Sequence, residues 1–492
     1  MEGVWGNREV PPAATGCPTS GRGLGSASGV KVGRRGLARW RSYPPAATGG
    51  PTPADSLGLV RGLGSYVRSL NPQLPRAVWL LQAGGLANMF GNGIVVPFLI
   101  IYLHNVRGIA LGLAGLIAAS NALAALVSGP LAGALADRVG PRRTLIGSLL
   151  IMAVAFSLFP LIRDPWHAFA LNALAGFGSG AFWPSQGALL SGLTPPERRP
   201  AAFAQQRVTM NLGIGLGGLV GGLIATTSSP SSFTVLFVID TVTFLVFAVV
   251  LLAGVPRLVW HEEHEDAGGY RAVFRHRSFM SFILLNTTLI AVSIPLLSEL
   301  FPVFAKNEAS VSESGIGLIF FFNTVLIVVA QLPIAKLQEG RRRMTALAGM
   351  AILVAVTWML VLAGGLWLEG AAATALFAFA FLLFAVGECL HGTVQGPLVS
   401  ELAPPRLLGR YMALSASSWQ LAFIVGPAIG GFILQEQPFA LWPLAAAICL
   451  VVAGWAFHLE GRLPREVRRS PMVAEAEPDT LVPARLGETA AG

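Results

Sequence analysis

Three acidic side chains, Asp240, Glu299 and Glu388, interrupt long apolar runs of this chain. A carboxyl set among apolar residues inside a bilayer costs about 2.5–3.5 kcal/mol, and it is retained where it carries protons or holds a solute. Each is therefore a candidate for proton coupling or solute binding. Glu388 is followed by His391 and Gln395 at i, i+3 and i+7, a spacing that puts all three on one face of a helix. An imidazole one turn from a carboxyl is its natural hydrogen-bond partner, and it titrates near physiological pH. Asn172, Ser179, Trp183 and Gln186 form a second polar set, while Asn88, Asn92 and Asn286 stand alone in apolar surroundings. All are candidates to line a cavity, and hydrogen bonding between helices is the competing use of such residues. Enzyme chemistry has little support, since neither HExxH nor GxSxG occurs. His261 and His264 lie among Glu262, Glu263, Glu265 and Asp266, which reads as a solvated linker rather than a metal site. Gly213, Gly215 and Gly218 satisfy GxGxxG, but with no strand before them and an apolar helix around them they do not read as a dinucleotide site. No metal or cofactor is expected.

The elements that position these residues are apolar runs. Of 492 residues, 53% are hydrophobic and 12% charged, about half the ~25% charged fraction of soluble domains. Runs long enough to cross ~30 Å of hydrocarbon cover 77–102, 108–132, 144–163, 166–193, 206–228, 232–254, 279–304, 314–337, 344–367, 372–400, 410–434 and 438–459. They are numbered spans 1 to 12. The pattern predicts an all-α membrane protein. With both termini inside, the inner loops hold 16 cations, Arg207 included, against three outside, which leaves no Lys or Arg within a span core. The net charge of +9 is then explained without nucleic acid.

An internal repeat organises the spans. Shifting the chain by 209 residues matches 13 of the 39 positions from 186 to 224, among them Gln186, Gly217, Gly221 and Gly222 on Gln395, Gly426, Gly430 and Gly431. Spans 4 and 5 thus repeat as spans 10 and 11, which implies two six-helix halves, 77–254 and 279–459, joined by a central loop, 255–278. Glycines at 213, 217 and 221, and at 426, 430 and 431 beside Pro427, predict close helix approach. Residues 1–76 are basic, rich in Pro, Gly and Ser, and read as disordered. Residues 269–277 suggest a basic surface helix, and the tail 460–492 reads as mobile. Cys17, Cys389 and Cys449 have no metal-ligand or disulfide-framework spacing.

Between spans 2 and 3 lies Gly133-Ala-Leu-Ala-Asp137-Arg138-Val-Gly140-Pro-Arg142-Arg143. This run resembles the signature loop of the major facilitator superfamily, departing from it only at Pro141. The resemblance covers 77–459. It implies twelve helices in two pseudo-symmetric halves, a cavity lined by spans 1, 4, 7 and 10, and a gating role for Gly133, Asp137, Arg138, Gly140, Arg142 and Arg143. Asp137 is expected to meet the start of span 11 near residues 408–410 when that side is closed. Gly426-Pro427-Ala-Ile-Gly430-Gly431 is similar to a glycine and proline motif that the family's drug and proton antiporters carry in span 5, whereas this chain has Gly218 at that proline position. The expected function is secondary transport of a small organic solute by alternating access, as a proton-coupled exporter acting as a monomer in the plasma membrane, with both termini cytoplasmic. The alternatives are an importer of a polar metabolite, proton-coupled or uniport, and, more remotely, a membrane enzyme or sensor.

Overall fold

In hydrocarbon a chain must satisfy its own backbone N–H and C=O groups, so each apolar run closes into a helix. The structure, a computed structural model, describes residues 74–256 and 270–471. The basic N-terminal segment and the His261–Asp266 cluster lie outside the described residues. The first half comprises Arg76–Ile101 continuing as a π turn Tyr102–Val106 (span 1), Leu111–Val139 (span 2), Pro141–Leu158 (span 3), Pro165–Leu193 (span 4), Arg199–Ile224 (span 5) and Ser231–Gly254 (span 6). A short helix, Tyr270–Arg275, stands where the basic surface helix was expected. The second half has Arg277–Ala309 with internal breaks (span 7), Glu313–Gln338 (span 8) and Arg343–Trp367 (span 9). Gly370–Gly392 with Gln395–Leu402 (span 10), Leu408–Glu436 (span 11) and Leu441–Glu460 (span 12) complete it.

Eleven of these, all but span 4, are long and apolar enough to cross a membrane by length and composition. Span 4 has 29 residues, ample length, but Asn172, Ser179, Ser185, Gln186 and three glycines from 176 to 180 dilute it.

Several sequence expectations change. The signature run is almost all helix: span 2 continues to Val139, and Gly140 alone makes the turn with φ of 90°, a conformation that suits glycine, before Pro141 starts span 3. Gly340 makes the related turn between spans 8 and 9 with φ of 71°. Span 10 is interrupted after Gly392, so Glu388, His391 and Gln395 do not share one continuous helix face. Arg207, counted as a loop cation, lies inside span 5.

The C-terminal segment was expected to be mobile, yet residues up to Ser470 are built into the second half. Gly340 N donates to Ser470 O at 3.0 Å, Ser470 N to Arg341 O at 3.0 Å, and Arg343 N to Arg468 O at 2.9 Å. Beneath this strap the Arg343 guanidinium is buried in an ion pair with Glu401 at 2.5 Å and also reaches Val467 O at 3.4 Å. The same turn in the first half is held by Arg142, whose guanidinium donates to Leu251 O and Leu252 O at 2.9 and 2.8 Å at the end of span 6. Carbonyls at a helix C-terminus lack intrahelical donors and attract a cation.

The duplicated glycines divide their work in the same way in both copies. Gly217 and Gly221 lie against Phe90 to Ile94 of span 1, and their counterparts Gly426 and Gly430 lie against Ala291 and Leu300 of span 7. One residue further on, Gly222 meets Gly317 of span 8 and Gly431 meets Gly115 of span 2. The first set packs each half together; the second joins the halves. Polar contacts reinforce that junction: Gly112 N to Gln435 Oε1 at 3.0 Å, Asn105 to Asn307 at 2.8 Å, and Thr227 N to Glu313 at 2.9 Å. Glu313 also pairs with Lys306 at 2.8 Å.

All these junctions sit at the end of the bundle away from the Gly140 turn. Toward that turn the halves part. The span 2 face that meets span 11 at Gly112 continues, at helical spacing, through Leu123, Pro130, Ala134 and Asp137, all exposed. Gly133, Gly187, Gly396 and Gly409 have open space around them. Asp137 is exposed and has no ion pair among the described residues.

Candidate functional site

Span 5 presents Arg207 to the gap. It lies eleven residues, about three turns, before Gly218 and on the same helix face, the face that packs on span 8 higher up. Across the gap its guanidinium rests on the backbone of span 10 at Gly392, where a Cβ would stand 2.6 Å from Nη2. Any side chain at 392 would displace it. Glu388 is one turn before Gly392 on the same face and half-buried. No ion pair joins Arg207 to Glu388.

His391 does not pair with Glu388. Its Nε2 stands 2.7 Å from Asn286 Oδ1 in span 7, both residues fully enclosed. The Asn286 Nδ2 is left without a partner among the described residues. Trp419 of span 11 meets the His391 ring edge-on at 5.9 Å, and Gln395 Nε2 donates to Ser415 Oγ of span 11 at 3.2 Å. Spans 5, 7, 10 and 11 therefore bring together a cation, a carboxyl, an amide donor and an aromatic wall.

The remaining candidates are dispersed. Asn172 is buried and donates from Nδ2 to Ile117 O of span 2 at 2.5 Å, so it ties helices within one half and does not line the gap. Gln186 is buried inside the first half against Gly85, beside Phe182, which meets Phe247 edge-on, so Gln186 does not line the gap. Ser179 is half-buried and bonds to its own helix at Gly176 O, 3.0 Å away. Trp183 is exposed at 43%. Asn92 is half-buried, whereas Asn88 is 1% exposed with neither amide atom partnered among the described residues. Asp240 is packed against Gly91 of span 1 and accepts from Thr243 Oγ1 at 3.3 Å. Glu299 lies in a π turn, Leu296–Leu300, with Oε2 buried and unpartnered among the described residues; such turns recur at functional sites.

Sequence reading missed two residues. Arg207 stands at the very edge of the apolar run 206–228 and so counts with the loop cations, and Glu313 immediately precedes the run 314–337. The signal for Arg207 was available: Arg199–Ile224 has Pro200 near its start, the position a helix favours for proline, which puts Arg207 two turns inside.

A twelve-helix bundle of two repeated halves, joined at one end and parted at the other around opposite charges, defines a class of membrane transporter. The family model of the Major Facilitator Superfamily matches residues 82–307 and 285–486, and the chain belongs to this family. It is 22% identical over 387 residues to the uncharacterised MFS-type transporter YqjV of Bacillus subtilis, covering 76% of this chain and 91% of that protein. It is 25% identical over 396 residues to the multidrug resistance protein MdtH of Yersinia enterocolitica, covering 77% and 94%. Among solved structures, a POT family transporter in complex with 5-aminolevulinic acid superposes with a TM-score of 0.67 at 14% identity, covering 79% of this chain and 96% of the other. That likeness is one of fold.

Proposed function

We propose that this chain is an exporter of small organic solutes, driven by the proton gradient and working as a monomer in the plasma membrane with both termini in the cytoplasm. The carrying observation is the parted end of the bundle: it opens beside the Arg-rich turns, the end that the positive-inside rule assigns to the cytoplasm, and leads to Glu388 and Arg207. Likeness along most of the chain to a multidrug resistance protein supports export. Similarity to a protein named as a Na(+), Li(+), K(+)/H(+) antiporter, 23% identical over 405 residues, supports proton exchange. In this reading Glu388 carries the proton, with Glu299 and Asp240 as the next candidates, and Asp137 closes on span 11 when the cytoplasmic side shuts. Purified protein in vesicles, assayed for solute flux with and without an imposed pH difference, tests it. Flux that ignores the pH difference removes the coupling; flux only down the solute's inward gradient removes export.

A further inference from the structure

A guanidinium and a carboxyl face the same gap from opposite halves without closing on each other. Each is expensive there: a charge within a span costs kilocalories unless it is wet or paired. Pairing them would be the cheap arrangement, yet Arg207 lies over the bare backbone at Gly392, one turn beyond Glu388. Both stay available to a third party. Asn286 Nδ2, on the residue bonded to His391, adds an enclosed N–H donor without a partner among the described residues, and donors of this kind suit an anionic group. Trp419, half-buried beside His391, adds a flat apolar wall.

We propose that the solute is amphoteric and aromatic, its anionic group taken by Arg207 and its cationic group by Glu388, with its ring against Trp419. This rests on the gap being the solute's path. A solute with both signs satisfies both charges of the protein, whereas one with a single sign leaves the other charge facing a closing, drying gap. Leaving a charge unpaired in that way is the strongest form of discrimination a polar site has. Arg207 is then a specificity-determining residue contributed by the half opposite to the carboxyl, so both halves must grip one molecule.

The test is equilibrium binding of two matched sets to the full chain in nanodiscs, without a gradient. The indole set is tryptophan, tryptamine, indole-3-propionate and 3-ethylindole. The naphthalene set is naphthylalanine, naphthylethylamine, naphthylpropionate and ethylnaphthalene. In at least one set the amphoteric member should bind tenfold or more tighter than either singly charged member. Arg207→Gln should erase its advantage over the amine, and Glu388→Gln its advantage over the acid, with unfolding temperature and size-exclusion profile confirming folded protein. The double exchange Arg207→Glu with Glu388→Arg should restore the amphoteric preference. A singly charged or uncharged member binding as tightly in both sets overturns the proposal, as does absence of saturable amphoteric binding. Either failure leaves the transport reading to the flux assay, while amphoteric binding without pH-driven flux would overturn the coupling alone.

Discussion

At the scale of single residues, Glu388 and His391 stand one turn apart on span 10 but do not pair, because His391 is held by Asn286 of span 7. A sequence displays neighbours at three and four positions, and so it offered Glu388 to His391; the fold offered Asn286, 105 residues away. Arg207 and Gly392 are likewise joined only by tertiary packing. The two residues now have separable predictions. Glu388→Gln keeps shape and hydrogen bonding but cannot carry a proton, so vesicles should lose solute movement against a gradient and retain exchange down it. Persistence of uphill movement under an imposed pH difference would move the coupling role to Glu299 or Asp240. For the buried His391–Asn286 bond, His391→Phe and Asn286→Leu should each destabilise, and a double-mutant cycle on thermal unfolding should give a coupling of about 1 kcal/mol, the net worth of one hydrogen bond. Additive effects would show that the two side chains act separately.

At the scale of elements, the repeated glycines were legible because a helix face without side chains has few uses in a membrane other than close packing. Which glycine faces its own half and which faces the other half was not, since both sets lie one residue apart. Gly115→Ala would drive a methyl into the Pro427 carbonyl across the joint between halves, so it should weaken the closed end and shift the population toward the opposite state. A cysteine at Leu434, 2% exposed in this conformation, should then label faster with a polar thiol reagent; unchanged labelling would show that the joint absorbs the methyl. The strap after span 12 was illegible for a different reason. It contributes three backbone hydrogen bonds to the Gly340 turn, and backbone pairing has no sequence signature in a segment rich in Arg. Ending the chain after Ser470 should leave the unfolding temperature unchanged, whereas ending it after Glu460 should cost on the order of 3 kcal/mol at about 1 kcal/mol per hydrogen bond. Equal stability of the two truncations would show that the strap rests on the turn without holding it.

At the scale of the whole molecule, hydropathy and charge asymmetry carried the fold, because a bilayer leaves the chain few ways to satisfy its backbone. The conformational state could not be read, because one sequence must encode both arrangements of the halves. Orientation comes first: a cysteine at Glu308 should react with an impermeant reagent from outside intact cells, and one at Glu265 should not. The reverse pattern would invert the reading of which end is open. Motion follows. Asn105 and Asn307 touch across the closed end, one from each half, at 2.8 Å, so alternating access requires them to separate. Oxidising the pair Asn105→Cys and Asn307→Cys, with Cys17 replaced, should stop transport, and reductant should restore it. The strap supplies the matched control. Arg341 and Ser470 are backbone-bonded within one half at 3.0 Å, and if that half moves as a body a disulfide between Arg341→Cys and Ser470→Cys should leave the transport rate within about twofold, a change of about 0.4 kcal/mol in barrier. Full transport with the first crosslink closed would mean that the halves do not rock about this joint. A block by the second would mean that the strap itself must open, which would make the Gly340 turn, and not the Asp137 turn alone, a moving part of the cycle.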